Sequence, residues 1–269
     1  NKHFMISKKD ILKYNNDGYL TIKNFFNKKE ILNAKNEILK KVNSKNKLIS
    51  TYYEDIKKKK EIRRIEKISD YSKYSKKFII SEKLKKILKI LLKKKFFLFK
   101  DKVNFKQPGG AGFLPHIDGH FYWKNKKDGK QQEGWSKYGD SFINIVIPMD
   151  STTKKNGYLF LSKKKYTFKK YGKRWKNIAD NLVSGTPNLK DDDIKDFKFN
   201  GMVLNIGDIL IFDWKCCHFS KKNLSKKSRM IFYLTYVNAC KKNSNYLVRK
   251  KYYSEKKNSL NPLKRKSLQ

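Results

Sequence analysis

Apolar side chains recur at helical spacing over most of the first 95 residues. Two long amphipathic helices are predicted to begin at the caps Asn27 and Ser81, with apolar residues three or four positions apart after each cap. Residues 19–22 predict a brief strand, and residues 57–77 carry too much charge for an assignment. We therefore predict that residues 1–95 form a mainly helical support.

From residue 96 the pattern changes to that of β-strands. Apolar and polar positions alternate with a period of two: Phe97, Phe99, Val103 and Phe105 against Lys100, Lys102, Asn104 and Lys106. Short strands separated by turns are typical of a sandwich or barrel. We predict one domain over residues 1–269, with a β-core at 96–240, a lysine-rich irregular excursion at 162–200 and a basic C-terminal tail at 241–269.

Lysine dominates the composition, and 66 Lys and Arg against 24 Asp and Glu give a formal net charge of +42. Such a surface attracts polyanions, so a nucleic acid or an anionic membrane is one interpretation and a compositional bias is the other. Because the lysines are spread from end to end and outnumber arginine, we favour the second interpretation and expect no nucleic-acid partner. The positive field would still speed the arrival of small dianions.

Hydrophobic residues make up 38% of the chain, which is enough for globular packing. No apolar stretch approaches the roughly 18 residues needed to span a bilayer. Three cysteines, of which Cys216 and Cys217 are adjacent, do not make a disulfide framework, so we expect a reducing, cytoplasmic compartment. Adjacent cysteines on a strand point to opposite faces, which also argues against a zinc site there.

Candidate chemistry begins with the four histidines of the chain. On an extended segment His116 and Asp118 point the same way, and His218 follows the strand predicted at 209–214, so the three residues could bind one metal ion. Two histidines and one carboxylate leave coordination positions open, which suits iron(II) oxygen chemistry. A His-x-Asp sequence alone is common, and a polar loop histidine is the other interpretation of His116.

Arg229 and Ser220 strengthen the first interpretation. An arginine fork with a nearby hydroxyl can hold the far carboxylate of a dicarboxylate. The polar positions Lys100, Lys102 and Asn104 could line a pocket, or they could be the solvated side of an edge strand.

The order of several motifs resembles the phytanoyl-CoA dioxygenase family. The motifs are Asp17-Gly18-Tyr19-Leu20, Asn24-Phe25-Phe26, His116-Ile117-Asp118, Asn156-Gly157, Gly207-Asp208, His218-Phe219-Ser220 and Arg229. Within the family, the segments at 100–105, 108–113 and 134–138 look most like oxygenases that hydroxylate 2-aminoethylphosphonate and related organophosphonates. Residues 102–105 also look like their counterpart in ectoine hydroxylases.

The resemblance implies a double-stranded β-helix, a jelly-roll of the cupin type, that uses iron(II), 2-oxoglutarate and O2, with ascorbate as an optional reductant. It implies a metal site at His116, Asp118 and His218. It also implies cosubstrate binding by a second group of residues: Arg229, Ser220 and Asn104, helped by Lys100 or Lys102. The substrate would be a small anionic or zwitterionic metabolite, best an organophosphonate.

Two departures from the family pattern lie where the substrate should sit, an insertion at 119–133 and an unusual aromatic run at 158–160. Candidate substrate contacts are His120, Trp135, Tyr138 and Asn144, with Lys124, Lys126 and Lys127 in the inserted loop. A solvated loop with core aromatics is the other interpretation, and Asn144 could instead satisfy a backbone group. Alternatives for the function are hydroxylation of another zwitterion, lipid or natural product, or a basic nucleic-acid-binding or scaffold protein on an oxygenase fold.

Overall fold

Two antiparallel β-sheets, two small two-stranded sheets and a layer of helices make up the described part of the fold. The computed structural model describes residues 6–43, 50–119, 122–124, 129, 131–171, 182–183, 186–187, 189, 191–238 and 247–259. The strands are β1 (Tyr19–Ile22), β2 (Ser50–Ile56), β3 (Lys59–Glu66), β4 (Phe96–Lys106), β5 (Phe113–His116), β6 (Tyr122–Lys124), β7 (Gln131–Glu133), β8 (Phe142–Pro148), β9 (Leu159–Ser162), β10 (Leu182–Val183), β11 (Thr186–Pro187), β12 (Phe199–Met202), β13 (Ile209–Asp213), β14 (His218–Ser220) and β15 (Arg229–Asn238). The helices are α1 (Lys8–Asp17), α2 (Lys28–Asn43), α3 (Lys73–Ile80), α4 (Glu82–Leu92), α5 (Lys164–Tyr171), α6 (Asp191–Ile194) and α7 (Val248–Ser259).

The larger sheet has the strand order β1-β13-β8-β15-β4-β3-β2, and the smaller has the order β12-β9-β14-β5. Every pair of neighbouring strands in both sheets is antiparallel. Val146 and Leu210 of the larger sheet belong to one buried cluster with Leu161 and Met202 of the smaller sheet, so the two sheets pack face to face. The predicted jelly-roll with flanking helices is confirmed.

The alternation of side chains along β8 and β4 separates two environments. Ile145 in β8 and Val103 in β4 point to the outer face, where they pack with Ile38 of α2 and Leu88 of α4 in the largest buried cluster. The even-numbered polar residues of β4, from Lys100 to Lys106, point the other way, towards the smaller sheet. Because β4 lies between β15 and β3, it is not an edge strand, and its lysines face the interior of the jelly-roll.

Three segments differ from the prediction. The support at 1–95 also contributes the β2–β3 hairpin, which extends the larger sheet beyond β4. The basic tail at 241–269 contains α7, whose Val248 and Tyr252 are buried against Phe99 and its neighbours. The excursion at 162–200 includes α5, α6 and the start of β12. None of the helices in the described ranges is both long and apolar enough to cross a membrane.

Candidate metal centre

The three predicted metal ligands meet where β5 and β14 pair. His116 is the register partner of His218, and Asp118 lies two residues beyond the end of β5. One ligand atom from each of the three residues lies within 4.8 Å of the others, and His218 Nε2 is 3.7 Å from an Asp118 carboxylate oxygen. Two histidine nitrogens and one carboxylate oxygen that converge in this way fit iron(II), because this donor set is typical of non-haem iron(II) oxygenases and would leave coordination positions open for other ligands.

Backbone carbonyls fix the orientation of both imidazoles. The Nδ1 of His116 donates to the Leu114 carbonyl at 2.6 Å, and the Nδ1 of His218 donates to the Cys216 carbonyl at 3.0 Å. Because a carbonyl can only accept, each Nε2 is left with its lone pair for a metal ion. Burial lowers the pKa of His116 to about 3 and also lowers the pKa of His218, so both rings are neutral, as ligands must be.

Asp118 is oriented by a chain of two hydrogen bonds from the larger sheet. The Asn144 amide donates to Asp118 Oδ2 at 2.9 Å, and the Thr235 hydroxyl donates to Asn144 Oδ1 at 2.7 Å. Burial alone would raise the pKa of Asp118, but the neighbouring His218 and His116, and after them Lys102 and Lys100, lower it. Asn144, which we predicted as a substrate contact, therefore faces the interior with its amide on a metal ligand.

A second site lies farther along the same strands. Arg229 and Lys106 are register partners on β15 and β4, and each is only 2% exposed. The Arg229 Nε and Nη1 have no hydrogen-bond partner, and no carboxylate of the described residues lies within 4.0 Å of either cation. The Lys106 ammonium donates to the Ser220 hydroxyl at 2.7 Å. Two adjacent buried cations are costly unless an anion joins them, so the site fits a carboxylate.

The spacing of the two sites suits one short dicarboxylate. Ser220 lies two residues after His218 on β14, and two residues of a strand span about 7 Å. That length is close to a five-carbon diacid with one end at the metal and the other at Arg229. Asn104 is 5% exposed on the same face, and its Oδ1 has no partner, so it also fits as a wall of this space.

Lys100 and Lys102 lie nearer to the metal ligands than to Arg229. Along β4 the register partners are Lys106 with Arg229, Lys102 with Tyr233, and Lys100 with Thr235. Thr235 is the residue that holds Asn144, so Lys100 is at the level of the metal centre. The two lysines predicted as cosubstrate contacts are thus separated along the strand from the arginine they were expected to assist.

The remaining predicted residues have varied positions. Trp135 follows the metal-binding segment closely, since its N–H donates to the Gly119 carbonyl at 2.6 Å. Tyr138 is buried in a core cluster, and its hydroxyl donates to Glu255 of α7. His120 and the inserted lysines 126 and 127 lie outside the described residues.

Sequence reasoning missed Lys106 and Glu66 as residues of the interior. Lys106 continues the alternation that begins at Lys100, so its position on the polar face was available from the sequence. Glu66 lies in the hairpin that was left unassigned, and no local pattern places it inside.

The family model described as phytanoyl-CoA dioxygenase (PhyH) matches residues 14–231. A 2-aminoethylphosphonate dioxygenase from an uncultured bacterium is 26% identical over 174 residues, 64% of this chain and 58% of that protein. Dioxygenase lolE1 of Epichloe uncinata is 27% identical over 185 residues, 69% of this chain and 63% of that protein. A methylphosphonate hydroxylase of Gimesia maris is 26% identical over 162 residues, 60% of this chain and 52% of that protein. The chain thus spans between half and two thirds of each relative.

Solved structures share the fold at low identity. The α-ketoglutarate-dependent carbocyclase SnoK from nogalamycin biosynthesis has a TM-score of 0.65 and 14% identity, with 87% of this chain and 85% of that chain covered. EctD from S. alaskensis, solved with 2-oxoglutarate and 5-hydroxyectoine, has a TM-score of 0.64 and 16% identity, with 89% and 78% covered. At these identities the likeness shows the fold alone, and it agrees with the jelly-roll described above.

Proposed function

Because the chain belongs to the phytanoyl-CoA dioxygenase family, we propose that it is an iron(II)- and 2-oxoglutarate-dependent dioxygenase that hydroxylates a small charged metabolite. The observation that carries the proposal is the pairing of a His-Asp-His cluster with a buried, unpartnered Arg229. A metal-binding triad alone could serve many reactions. A triad with an anion site about 7 Å along the strand fits a chelating oxoacid.

The residues divide the work between holding and shielding. His116, His218 and Asp118 would hold iron(II), and Asn144 keeps the carboxylate aimed at it. Bound together, iron(II), 2-oxoglutarate and O2 supply an oxidant that hydroxylates an unactivated C–H bond, with succinate and CO2 as the other products. Such an oxidant reacts with any C–H bond close to it. The contribution of the chain is therefore to orient the substrate and to exclude water.

Arg229 would hold the far carboxylate of the oxoacid. Its guanidinium has two nitrogens, Nε and Nη1, without a hydrogen-bond partner and so able to donate to an anion, and the burial of the site strengthens such bonds. The Ser220 oxygen already accepts a hydrogen bond from Lys106, so its own hydrogen is free to be donated to the same carboxylate. Lys106 is therefore a positioning residue as well as a second positive charge.

The finer proposal is that the substrate is an organophosphonate. Two relatives bear the names of phosphonate-oxidising enzymes, and the interior carries several positive charges beyond those at Arg229. Another zwitterion, a lipid or a natural product is the alternative within the class. A nucleic-acid-binding or scaffold protein would not need a complete ligand triad, so it is the weaker alternative.

The test uses anaerobic protein with iron(II) and 2-oxoglutarate. We expect a visible charge-transfer absorption on 2-oxoglutarate binding, and succinate after O2 is admitted, increased by one or more phosphonates. Asp118→Ala should lose both, and Asp118→Asn distinguishes loss of charge from loss of the side chain. If neither 2-oxoglutarate binding nor succinate depends on iron(II), the proposal is wrong. Succinate that no phosphonate increases would retain the class and reject the finer proposal.

A further inference from the structure

The polar face of β4 ends in a second positively charged cluster, which the cosubstrate site does not explain. Lys100 is 6% exposed, and its ammonium is 3.7 Å from Glu66 Oε1. That distance is longer than a hydrogen bond. The same Glu66 oxygen lies 3.2 Å from the Nε of Arg64, a neighbour on β3. One carboxylate is therefore shared between two buried cations.

We propose that Lys100, with Lys102 beside it, binds the anionic head group of the substrate, and that the substrate carries a net negative charge. The inference rests on the proposed function and deepens it, because it names the class of molecule and the residue that selects it. It also replaces the predicted role of Lys100, which was cosubstrate binding, by substrate binding.

Lys100 lies away from the cosubstrate's anion site along β4. Lys100 is paired in register with Thr235, whose hydroxyl holds the Asn144 side chain that in turn donates to Asp118, so Lys100 is at the level of the residues that orient this metal ligand. The anion site of the cosubstrate is at Lys106, six residues farther along the same strand, where Arg229 is the register partner. A head group held at Lys100 therefore does not compete with the cosubstrate.

The aromatic side chains around Lys100 also suit a small charged molecule. The Lys100 ammonium is 5.2 Å from the centre of the Trp135 ring and 5.7 Å from that of Tyr252. Trp135 is partly exposed and joined by its backbone to Gly119, next to the metal ligand Asp118. A cation flanked by two aromatic rings, one of them partly exposed, is a site in which a small molecule can place its charge on the lysine and its carbon atoms on the rings.

Positive charges outnumber negative ones around Lys100. Near the metal centre the described residues place Lys100, Arg64 and, in its protonated form, Lys102 against Glu66 and the metal ligand Asp118. Asp118 would bind the metal ion, and the Glu66 carboxylate is shared between Arg64 and Lys100. The excess positive charge favours an anion, and it leaves no described carboxylate to attract an ammonium group. A substrate with net negative charge is therefore preferred over a neutral zwitterion.

The pKa of Lys102 is consistent with this arrangement. Burial, and then the charge of Lys100, lowers the pKa of Lys102 to about 7. Its ammonium lies 5.2 Å from the centre of the Tyr233 ring. Binding of an anion would favour the charged form, so it should be accompanied by uptake of a proton at pH 8.

The experiment measures binding rather than turnover. Protein loaded with iron(II) and 2-oxoglutarate is titrated without O2 by calorimetry with methylphosphonate, 2-aminoethylphosphonate, inorganic phosphate and taurine at pH 8. Taurine is close in size and shape to 2-aminoethylphosphonate but is a zwitterion without net charge. We expect the phosphonates to bind, taurine to bind at least tenfold more weakly, and proton uptake to appear as a dependence of the heat on the buffer.

Variants then assign the site. Lys100→Met should weaken phosphonate binding on the order of 10- to 100-fold, and Lys100→Arg should restore part of it. Lys94→Met removes one exposed charge near the same strand and should leave binding unchanged. Thermal unfolding gives an independent readout. In the Lys100→Met variant, Glu66 still forms its ion pair with Arg64. The substitution should therefore not lower the melting temperature of the ligand-free protein. If the only role of Lys100 were a structural ion pair, the melting temperature would fall.

Each outcome supports or overturns the inference. It is overturned if Lys100→Met binds phosphonates like the wild type, if taurine binds as well as 2-aminoethylphosphonate, or if none of the four small molecules binds to loaded protein. The binding of 2-oxoglutarate, measured first in every variant, separates this failure from that of the proposed function. If 2-oxoglutarate fails to bind to the wild type, the proposed function fails; if it binds and Lys100 has no effect, only the inference fails.

Discussion

Lys106 should be required for tight 2-oxoglutarate binding, although no motif marks it. Its ammonium donates to the Ser220 hydroxyl at 2.7 Å and to the Lys221 carbonyl at 2.6 Å. The first bond directs the Ser220 hydrogen away from Lys106 and towards the space in front of Arg229. Lys106→Met keeps a long apolar side chain and removes the charge and the donor together.

The expected effect follows from the burial of the site. A hydrogen bond to a charged group contributes about 1.5–3 kcal/mol, so the dissociation constant of 2-oxoglutarate should rise roughly 10- to 150-fold. Stability should change differently. Burial, and then the charge of Arg229, holds the pKa of Lys106 well below its usual value, which means that the charged lysine costs the folded state free energy. Lys106→Met should therefore weaken binding without lowering the melting temperature of the free protein.

The assay is a double-mutant cycle in which Lys106→Met, Ser220→Ala and their combination are titrated with 2-oxoglutarate over iron(II) without O2. If Lys106 acts partly through Ser220, the two effects should be less than additive, with a coupling energy of about 0.5–3 kcal/mol. Lys222→Met is the matched control, because its exposed side chain is two positions from Ser220. A dissociation constant within about twofold of wild type for Lys106→Met, or full additivity with Ser220→Ala, would refute this reasoning.

Three further predictions concern other parts of the interior. Asn144→Ala should release Asp118 and weaken iron(II) affinity about 10- to 100-fold, measured by competition with a chelator; unchanged affinity would contradict the positioning role. Gly112→Ala should destabilise the fold by about 2–4 kcal/mol in urea unfolding, since a Cβ there would overlap the Ser220 carbonyl, and an unchanged midpoint would show that the loop can move. The pKa of Lys102 is lowered to about 7, and only its protonated form attracts an anion. The affinity for an anionic substrate should therefore fall roughly tenfold per pH unit above that value. The variant Lys102→Met should remove this pH dependence.

The sequence predicted the elements of the β-core better than the position of each strand in the sheet. Alternation along β4 identified Lys100, Lys102, Asn104 and Lys106 as its polar positions, but it wrongly set Phe97 and Phe99 opposite them: a register shift lets both phenylalanines pack with Trp135 and Tyr252, the rings that flank Lys100. The same alternation is typical of an edge strand, and only the pairing of β4 with both β15 and β3 shows that the face is interior. Those pairings join segments more than thirty residues apart, so no local pattern contains them.

The metal centre was predictable for a different reason. His116 and Asp118 are two positions apart, and the period of a strand brings their side chains to one side. His218 came from its place just after a strand and from the family resemblance. The hairpin β2–β3 and helix α7 were missed because charged residues of both signs occupy so many positions of β3 and α7 that the apolar period is hidden. In α7 the apolar signal reduces to Val248 and Tyr252, four residues apart, one turn of helix.

The pairing of β5 with β14 sets an order for assembly during synthesis. His116 and His218 are separated by 102 positions (218 minus 116), so a nascent chain carries half of the metal face long before the other half has left the ribosome. Iron capture must then follow closure of the smaller sheet rather than guide it. Tyr252, on the far side of the Lys100 cluster, arrives later still. A chain stopped before α7 would hold all three metal ligands but would lack this wall, so we expect metal loading and completion of the substrate chamber to be separable steps of maturation.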